Sequence, residues 1–276
     1  MSRRWTPSLA LIHLVLALGV LISVGPLAWV ALSSFKQVSD IFRYPPQLIP
    51  SPGTLDSYRT LFGEIPFSRW FVNSVVTSVV ATAAAVFFSA LAGYAFAKYR
   101  FRGRRFLFDV MFSSLMVPFA VVLVPLFIEI TRLGWADSYL ALVVPWIAPA
   151  FGIFLMRQFI IQTVPDEIID AARVDGAGEF QIFWRIVVPV VRPALGALAV
   201  WNFLNAYNSF LWPLTVISNQ DMLTLPLGLN ALNGNYSREY GTVLAAALLA
   251  ALPTIGLFLT LRRQLISGLT VGSVKG

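Results

Sequence analysis

Residues 170–193 read DAARVDGAGEFQIFWRIVVPVVRP, three acids and three arginines set in a chain that is otherwise apolar. Widened to 157–193, the segment holds Arg157, Arg173, Arg185 and Arg192 with Asp166, Glu167, Asp170, Asp175 and Glu179. At roughly 2.5–3.5 kcal/mol for each such charge at the centre of a bilayer, the whole would cost more than ~20 kcal/mol to insert. Whatever the rest of the chain does, this piece does not cross a membrane.

The rest is built to cross one. Of 276 residues 58 % are hydrophobic and only 12 % charged, with a mean hydropathy of +0.76; soluble domains carry about a quarter of their residues charged. The apolar runs are continuous rather than alternating, which favours helices over a barrel. Six spans are expected at about 8–33, 71–97, 106–131, 138–160, 194–218 and 242–262, forming one transmembrane domain over 1–276. The first follows Arg3 and Arg4 as a signal peptide would, but its apolar run is too long and no Ala-x-Ala site follows, so it reads as a retained anchor. Pro118, Pro125, Pro145, Pro149, Pro213 and Pro253 fall inside the spans and permit kinks.

Orientation follows from the basic residues. The connector KYRFRGRR, residues 98–105, holds five without an acid. With the N-terminus, the 157–193 segment and the C-terminal tail, fourteen of the 20 Lys and Arg fall on one side, leaving Lys36, Arg43, Arg59, Arg69, Arg132 and Arg238 on the other. Both termini and a loop over about 161–193 are therefore expected in the cytoplasm. The net charge of +7 reads as this loop bias and not as a nucleic-acid surface. The chain has no cysteine, and its one histidine, His13, lies in an apolar run, so thiolate and histidine metal chemistry is not expected. The outer connector 34–70 is Pro-rich and expected to be irregular.

Within the charged loop two short helices are expected. Pro165 suits a helix start, with Asp166 and Glu167 complementing the positive end. Ile168, Ile169 and Ala172 share a face, and Gly176 suits a left-handed C′ position. A second helix from about Gly178 would present Phe180, Phe183, Trp184 and Val187 together. Such a knob suits either a groove on a cytoplasmic partner or the bilayer surface.

Written as D-A-A-x-x-D-G-A, five residues, then F-x-x-I-x-x-P-x-x-x-P, the stretch resembles the EAA loop of permease subunits of binding-protein-dependent ABC importers. It matches at Ala171, Ala172, Asp175, Gly176, Ala177, Phe183, Ile186, Pro189 and Pro193, and departs at Asp170, where Glu is usual. SSFKQVSDIF (33–42), AGYAFAKYRFRGRR (92–105), FGIFLMRQFI (151–160), NSFLWPL (208–214), TLPLGL (224–229) and the tail GLTVGSVKG (268–276) extend the resemblance to the maltose-type carbohydrate importers, and within them to the smaller six-span permease.

The resemblance implies an all-α membrane protein with the type I ABC importer permease fold, in a prokaryotic inner membrane. It implies a heterodimer with a second permease, two cytoplasmic ATPase subunits that bind ATP and Mg, an extracytoplasmic solute-binding protein, and a sugar or oligosaccharide as cargo. The loop would be the coupling helix, with Asp170, Ala171, Ala172, Asp175, Gly176, Ala177, Glu179 and Phe183 toward the ATPase, and the tail 264–276 would reach the ATPase too. No Gly-x-x-x-x-Gly-Lys-Ser/Thr surrounds Lys36, Lys98 or Lys275, so no nucleotide or other cofactor is expected on this chain.

In the fifth span, WNFLNAYNSFLWP (201–213), Trp201, Asn205, Asn208 and Trp212 follow helical spacing, with Asn202 and Tyr207 beside them. Amides beside indoles suit sugars, and the same amides equally suit helix packing. Asp109 is expected to pair with the 98–105 connector, and Glu129 with Arg132. Asn233, Gly234, Asn235 and Tyr236 form a polar tip, which the resemblance would bring to the binding protein and which equally suits a solvated connector. Alternatives are the same architecture carrying a phosphorylated polyol, amino acid or peptide, or an autonomous secondary transporter. The last would place acids deep in its spans, whereas Asp109 and Glu129 lie near span ends.

Overall fold

The computed structural model describes the backbone of residues 7–235 and 240–270 and the side chains of 11–232 and 240–262. Among the described residues there are helices and connectors and no strand. In chain order the helices are α1 (Pro7–Ser33), α2 (Val38–Ile41), α3 (Asp56–Gly63), α4 (Phe67–Lys98), α5 (Arg104–Ser113), α6 (Phe119–Arg132), α7 (Tyr139–Val143), α8 (Ala150–Thr163), α9 (Asp166–Val174), α10 (Glu179–Ile182), α11 (Val188–Val190), α12 (Arg192–Tyr207), α13 (Leu211–Val216), α14 (Leu225–Asn235) and α15 (Tyr240–Thr270). Stretches Leu11–Ser33, Phe67–Lys98, Tyr139–Thr163 and Tyr240–Arg262 are each long and apolar enough to cross a bilayer. Two bent pairs, α5 with α6 and Glu179–Val190 with α12, bring the number to six where each pair is one span.

The bends have sequence causes. Residues 106–131, expected as one helix, fold as two that meet at 107°. Pro118 lacks the N–H that would continue the ladder and forces Val117 into an extended conformation (φ −83°, ψ 117°). Pro149 and Pro165 likewise stand immediately before α8 and α9. Residues 194–218, also expected as one helix, stop at Tyr207 and resume at Leu211.

The chain divides into two compact units: residues 1–68 with 228–252, and residues 69–227 with 253–276. In the first, the side chains of α1 are exposed from Leu11 to Leu27 and, His13 and Ser23 apart, apolar, as a helix facing lipid or another subunit requires. The outer connector, expected to be irregular, contains α2 and α3. Lys36 is buried there, donating to the Gln47 carbonyl (2.6 Å) and Ser33 Oγ (3.2 Å) with its Nζ 3.9 Å from the centre of the Trp29 ring.

In the second unit α4 is the central element. Its buried Ser74, Thr77, Ser78, Ala81, Ala85 and Ser89 form a small-residue stripe, and such stripes let membrane helices approach closely. At Gly93 the approach is close: an added Cβ would lie 2.7 Å from Met156 Cβ and 2.9 Å from the Arg157 nitrogen. At the start of α4, Asn73 Nδ2 donates to the carbonyls of Asp221 (2.9 Å) and Leu223 (3.0 Å), and its Oδ1 accepts from the Tyr139 hydroxyl (2.7 Å). The 219–225 segment is thus pinned at α4.

Gly93→Ala overpacks the α4–α8 contact at a cost of about 1–3 kcal/mol. Gly25→Ala, where an added Cβ meets nothing within 4 Å, costs nothing measurable. Thermal midpoints in detergent, followed by size-exclusion fluorescence, are expected to fall for the first variant only.

Candidate functional site

Two places in the second unit hold the chemistry singled out in the sequence. One is the charged connector. Asp166 and Glu167 occupy the first turn of α9 after Pro165, where their charge favours the helix dipole. Gly176 ends the helix at φ +81°. Its N–H donates to Arg173 O (3.0 Å) and that of Ala177 to Ala172 O (2.9 Å), the paired bonds of a Schellman cap. An added Cβ at Gly176 meets nothing within 4 Å, so glycine stands there for its backbone angle and not for space.

One face of the connector is core. Ile169 (1 % exposed), Ile182, Phe183 (2 %) and Val187 pack with Tyr94 of α4 and Met156 and Ile160 of α8. The other face carries Ala171, Val174 (88 % exposed), Asp175 and Gly176, with Phe180 and Trp184 exposed beyond the turn. Asp170 is exposed and accepts from Arg173 Nη1 at 3.0 Å; Ala172 and Ala177 are half-buried against the core.

Three expectations for the connector are corrected. Phe183, expected to face a partner, is buried, its ring centre 5.8 Å from that of Tyr94. Phe180, Phe183, Trp184 and Val187 do not share a face. A π-helical turn spans Phe183–Val187; Ile182, Phe183 and Val187 are buried, and Phe180 and Trp184 are exposed. Ile168, expected beside Ile169, is exposed.

The connector's polar contacts reach a segment far away in sequence. Lys98 donates to Val164 O (2.6 Å) and to Asp166 Oδ1. Glu179 accepts from Arg173 Nε (2.7 Å), the Tyr94 hydroxyl (3.2 Å) and the Tyr99 hydroxyl. The Lys98 hydrogen bond holds the Asp166 carboxyl below its ordinary range, and the Arg173 hydrogen bond, then that of Tyr99, does the same for Glu179. Because both folded values lie below the unfolded ones, these ties are complete above the ordinary carboxylate range. They are lost as pH falls through the folded values.

The second place is a cavity of about 370 Å³ lined by Trp201, Asn202 and Asn205 of α12, Trp212 of α13, Phe119 of α6 and Trp146, with Pro149, Ala206, Ser209, Phe210 and Leu211 completing it. No charged side chain lines it. Asn208, expected on the same face, is not in the lining; it lies where α12 has ended and donates to Leu204 O (2.9 Å). Trp212 enters from a separate helix, not by helical spacing from Trp201, and donates its Nε1–H to Ala141 O (2.8 Å). Asn202 is buried, its Nδ2 3.4 Å from Thr82 Oγ1, and the Asn205 amide donates to Trp201 O (2.8 Å). Phe119 and Trp146 were not foreseen. Their signal was an aromatic residue just after Pro118 and another between Pro145 and Pro149.

Glu129 pairs with Arg132 at 3.0 Å, and Asp109 lies 4.0 Å from Arg105. The side chains of Asn233, Gly234 and Asn235, all of Tyr236, the side chains of the tail 264–276 and its backbone beyond Thr270 lie outside the described residues.

Gly176→Ala places a Cβ in a left-handed conformation at about 1–2 kcal/mol. The cap is expected to open more often, read as roughly tenfold faster hydrogen exchange at the Ala177 amide with the α4 amides unchanged.

Comparison with known proteins adds the family. Residues 60–264 match the family described as "Binding-protein-dependent transport system inner membrane component". The chain is 39 % identical to an arabinooligosaccharides transport system permease protein of Halalkalibacterium halodurans over the full length of both. It is 37 % identical to a lactose transport system permease protein of Rhizobium radiobacter, over 95 % of this chain and 94 % of that one. It is 32 % identical to an sn-glycerol-3-phosphate transport system permease protein of Yersinia enterocolitica, over 93 % and 94 %. In fold it is similar to a chain of a bacterial ABC transporter involved in the import of alginate, with a TM-score of 0.81 over 95 % of this chain and 99 % of that one, at 21 % identity.

Proposed function

This chain belongs to the family of binding-protein-dependent transport system inner membrane components, and from that premise we propose that it is one of two permease subunits of an ABC importer for a neutral sugar or oligosaccharide. Its exposed Gly176 turn seats in a separate ATPase on the cytoplasmic side, where both termini also lie. A solute-binding protein delivers cargo at the opposite face. Relatives that are named as arabinooligosaccharide and lactose permeases support the sugar class.

The observation that carries the cargo class is the lining of the cavity. Trp201, Trp146 and Phe119 offer apolar ring faces to the C–H surface of a sugar, and Asn205 and Ser209 offer hydrogen bonds to hydroxyls. A phosphorylated polyol, the cargo named for the Yersinia relative, would bring its charge to a lining with no cation to offset the loss of hydration.

The mechanism uses the two places together. Closure of the ATPases on ATP draws the Gly176 turn, which the buried Ile169, Ile182, Phe183 and Val187 join to α4 and α8. The helices then rock, and the cavity at the broken end of α12 changes the side on which it opens. The chain itself performs no chemistry on ATP.

The test is uptake by whole cells in which this chain and its native partners are the sole route. Trp201→Ala and Asn205→Ala are expected to lower uptake of a tritiated arabino-oligosaccharide about three- to tenfold, a loss of roughly a kcal/mol per contact. Excess unlabelled sn-glycerol-3-phosphate is expected not to compete. Unchanged uptake in both variants takes the cavity off the path; competition by the phosphate ester gives the charged cargo instead.

A further inference from the structure

The connector is covalently continuous with α8 and α12, yet its polar contacts go to neither. Among the described residues, side-chain hydrogen bonds that leave residues 164–179 all end on Tyr94, Lys98 or Tyr99, at the last turn of α4 and just beyond it. They fall on both sides of the Gly176 turn. Before it, Lys98 holds Val164 O and Asp166; after it, Tyr94 and Tyr99 hold Glu179. Arg173 bridges the turn itself, with Nη1 3.0 Å from Asp170 Oδ1 and Nε 2.7 Å from Glu179 Oε1.

We propose that these contacts are a two-point clamp that makes the Gly176 turn and α4 move as one body, so that Tyr94, Lys98, Tyr99, Arg173 and Glu179 are positioning residues that carry displacement of the turn into the membrane. The proposal rests on the reading of the connector as the ATPase contact.

Three observations support it. First, the helices break on either side of the connector: α8 meets α9 through an extended Val164 (φ −113°, ψ 102°), the residue whose carbonyl Lys98 holds, and the chain bends by 80° between α11 and α12. Without ties to α4, a push on the turn would be absorbed there. Second, the clamp is not needed to hold the connector in place. Ile169, Ile182, Phe183 and Val187 are already buried, and that burial holds the connector against α4 and α8. What directional hydrogen bonds add at such positions is a fixed register between two elements. Third, Lys98 is only 7 % exposed, so its ammonium, removed from water, is committed to this carbonyl and this carboxylate.

The experiment uses the complete importer, purified with its native partner permease and ATPases in lipid nanodiscs. ATP hydrolysis is measured with and without the native binding protein, a signal that must travel through the spans to the ATPases. Tyr94→Phe/Tyr99→Phe and Lys98→Met are expected to assemble and keep basal hydrolysis while stimulation by the binding protein falls about fivefold or more. Lys98→Arg, which keeps the charge and the donors, is expected to retain most of it. Full stimulation in both disrupted variants overturns the clamp, as does loss of assembly in every variant including single Tyr99→Phe, since the contacts would then serve folding alone. A wild-type preparation that holds no ATPase overturns instead the coupling reading beneath the proposal, and is told apart by needing no variant.

Discussion

A charged segment joined at both ends to hydrocarbon-spanning helices has only one place to go. It cannot enter the bilayer, yet Ile169, Ile182, Phe183 and Val187 cannot be left in water without forfeiting their burial. The connector resolves both demands by laying its apolar face over the ends of α4 and α8 while keeping its charges outside. Much else in the second unit follows. The small-residue stripe and Gly93 let α4 and α8 come close enough to make that platform. Lys98, Tyr94 and Tyr99 then stand at the rim, where they meet the connector's acids.

The same rule, that backbone groups in a membrane be satisfied inside the protein, governs where the helices break. α5 yields to α6 at Pro118, and α12 yields to α13 at 208–210, both beside the cavity. Breaks are tolerated where side chains or neighbouring carbonyls take up freed groups. Asn208 donates to Leu204 O at the end of α12, and Trp212 anchors α13 through Ala141 O. A broken helix also supplies aromatic residues from several directions at once, which an unbroken one cannot do.

Local features were legible in the sequence because their causes are local. Gly176 at a left-handed cap, Pro165 before a helix and the acids in the first turn of α9 each follow from a few neighbouring residues. The EAA-like spacing was legible for the same reason. What escaped is non-local. Phe180 and Trp184 lie on a stripe beside that of Phe183 and Val187, and which of the two is covered depends on the packing against α4 and α8. Tyr94 lies 85 residues from Glu179 and Lys98 68 from Asp166, so the clamp exists only once α4 and the connector are packed. Trp146 and Phe119 join Trp201 through the breaks at prolines, whereas helical spacing alone pointed to Asn208.

The central claim is that the Gly176 turn is the surface through which a separate ATPase acts on this chain. Its most direct measurement is affinity purification of the tagged chain from its native membranes in mild detergent, wild type beside Gly176→Pro. Proline cannot adopt the φ of +81° found there, and it removes the N–H that caps α9. The account predicts that an ATPase and a second permease accompany the wild type, and that the variant keeps the permease and loses the ATPase. Recovery of the ATPase in equal amount with both chains would contradict it.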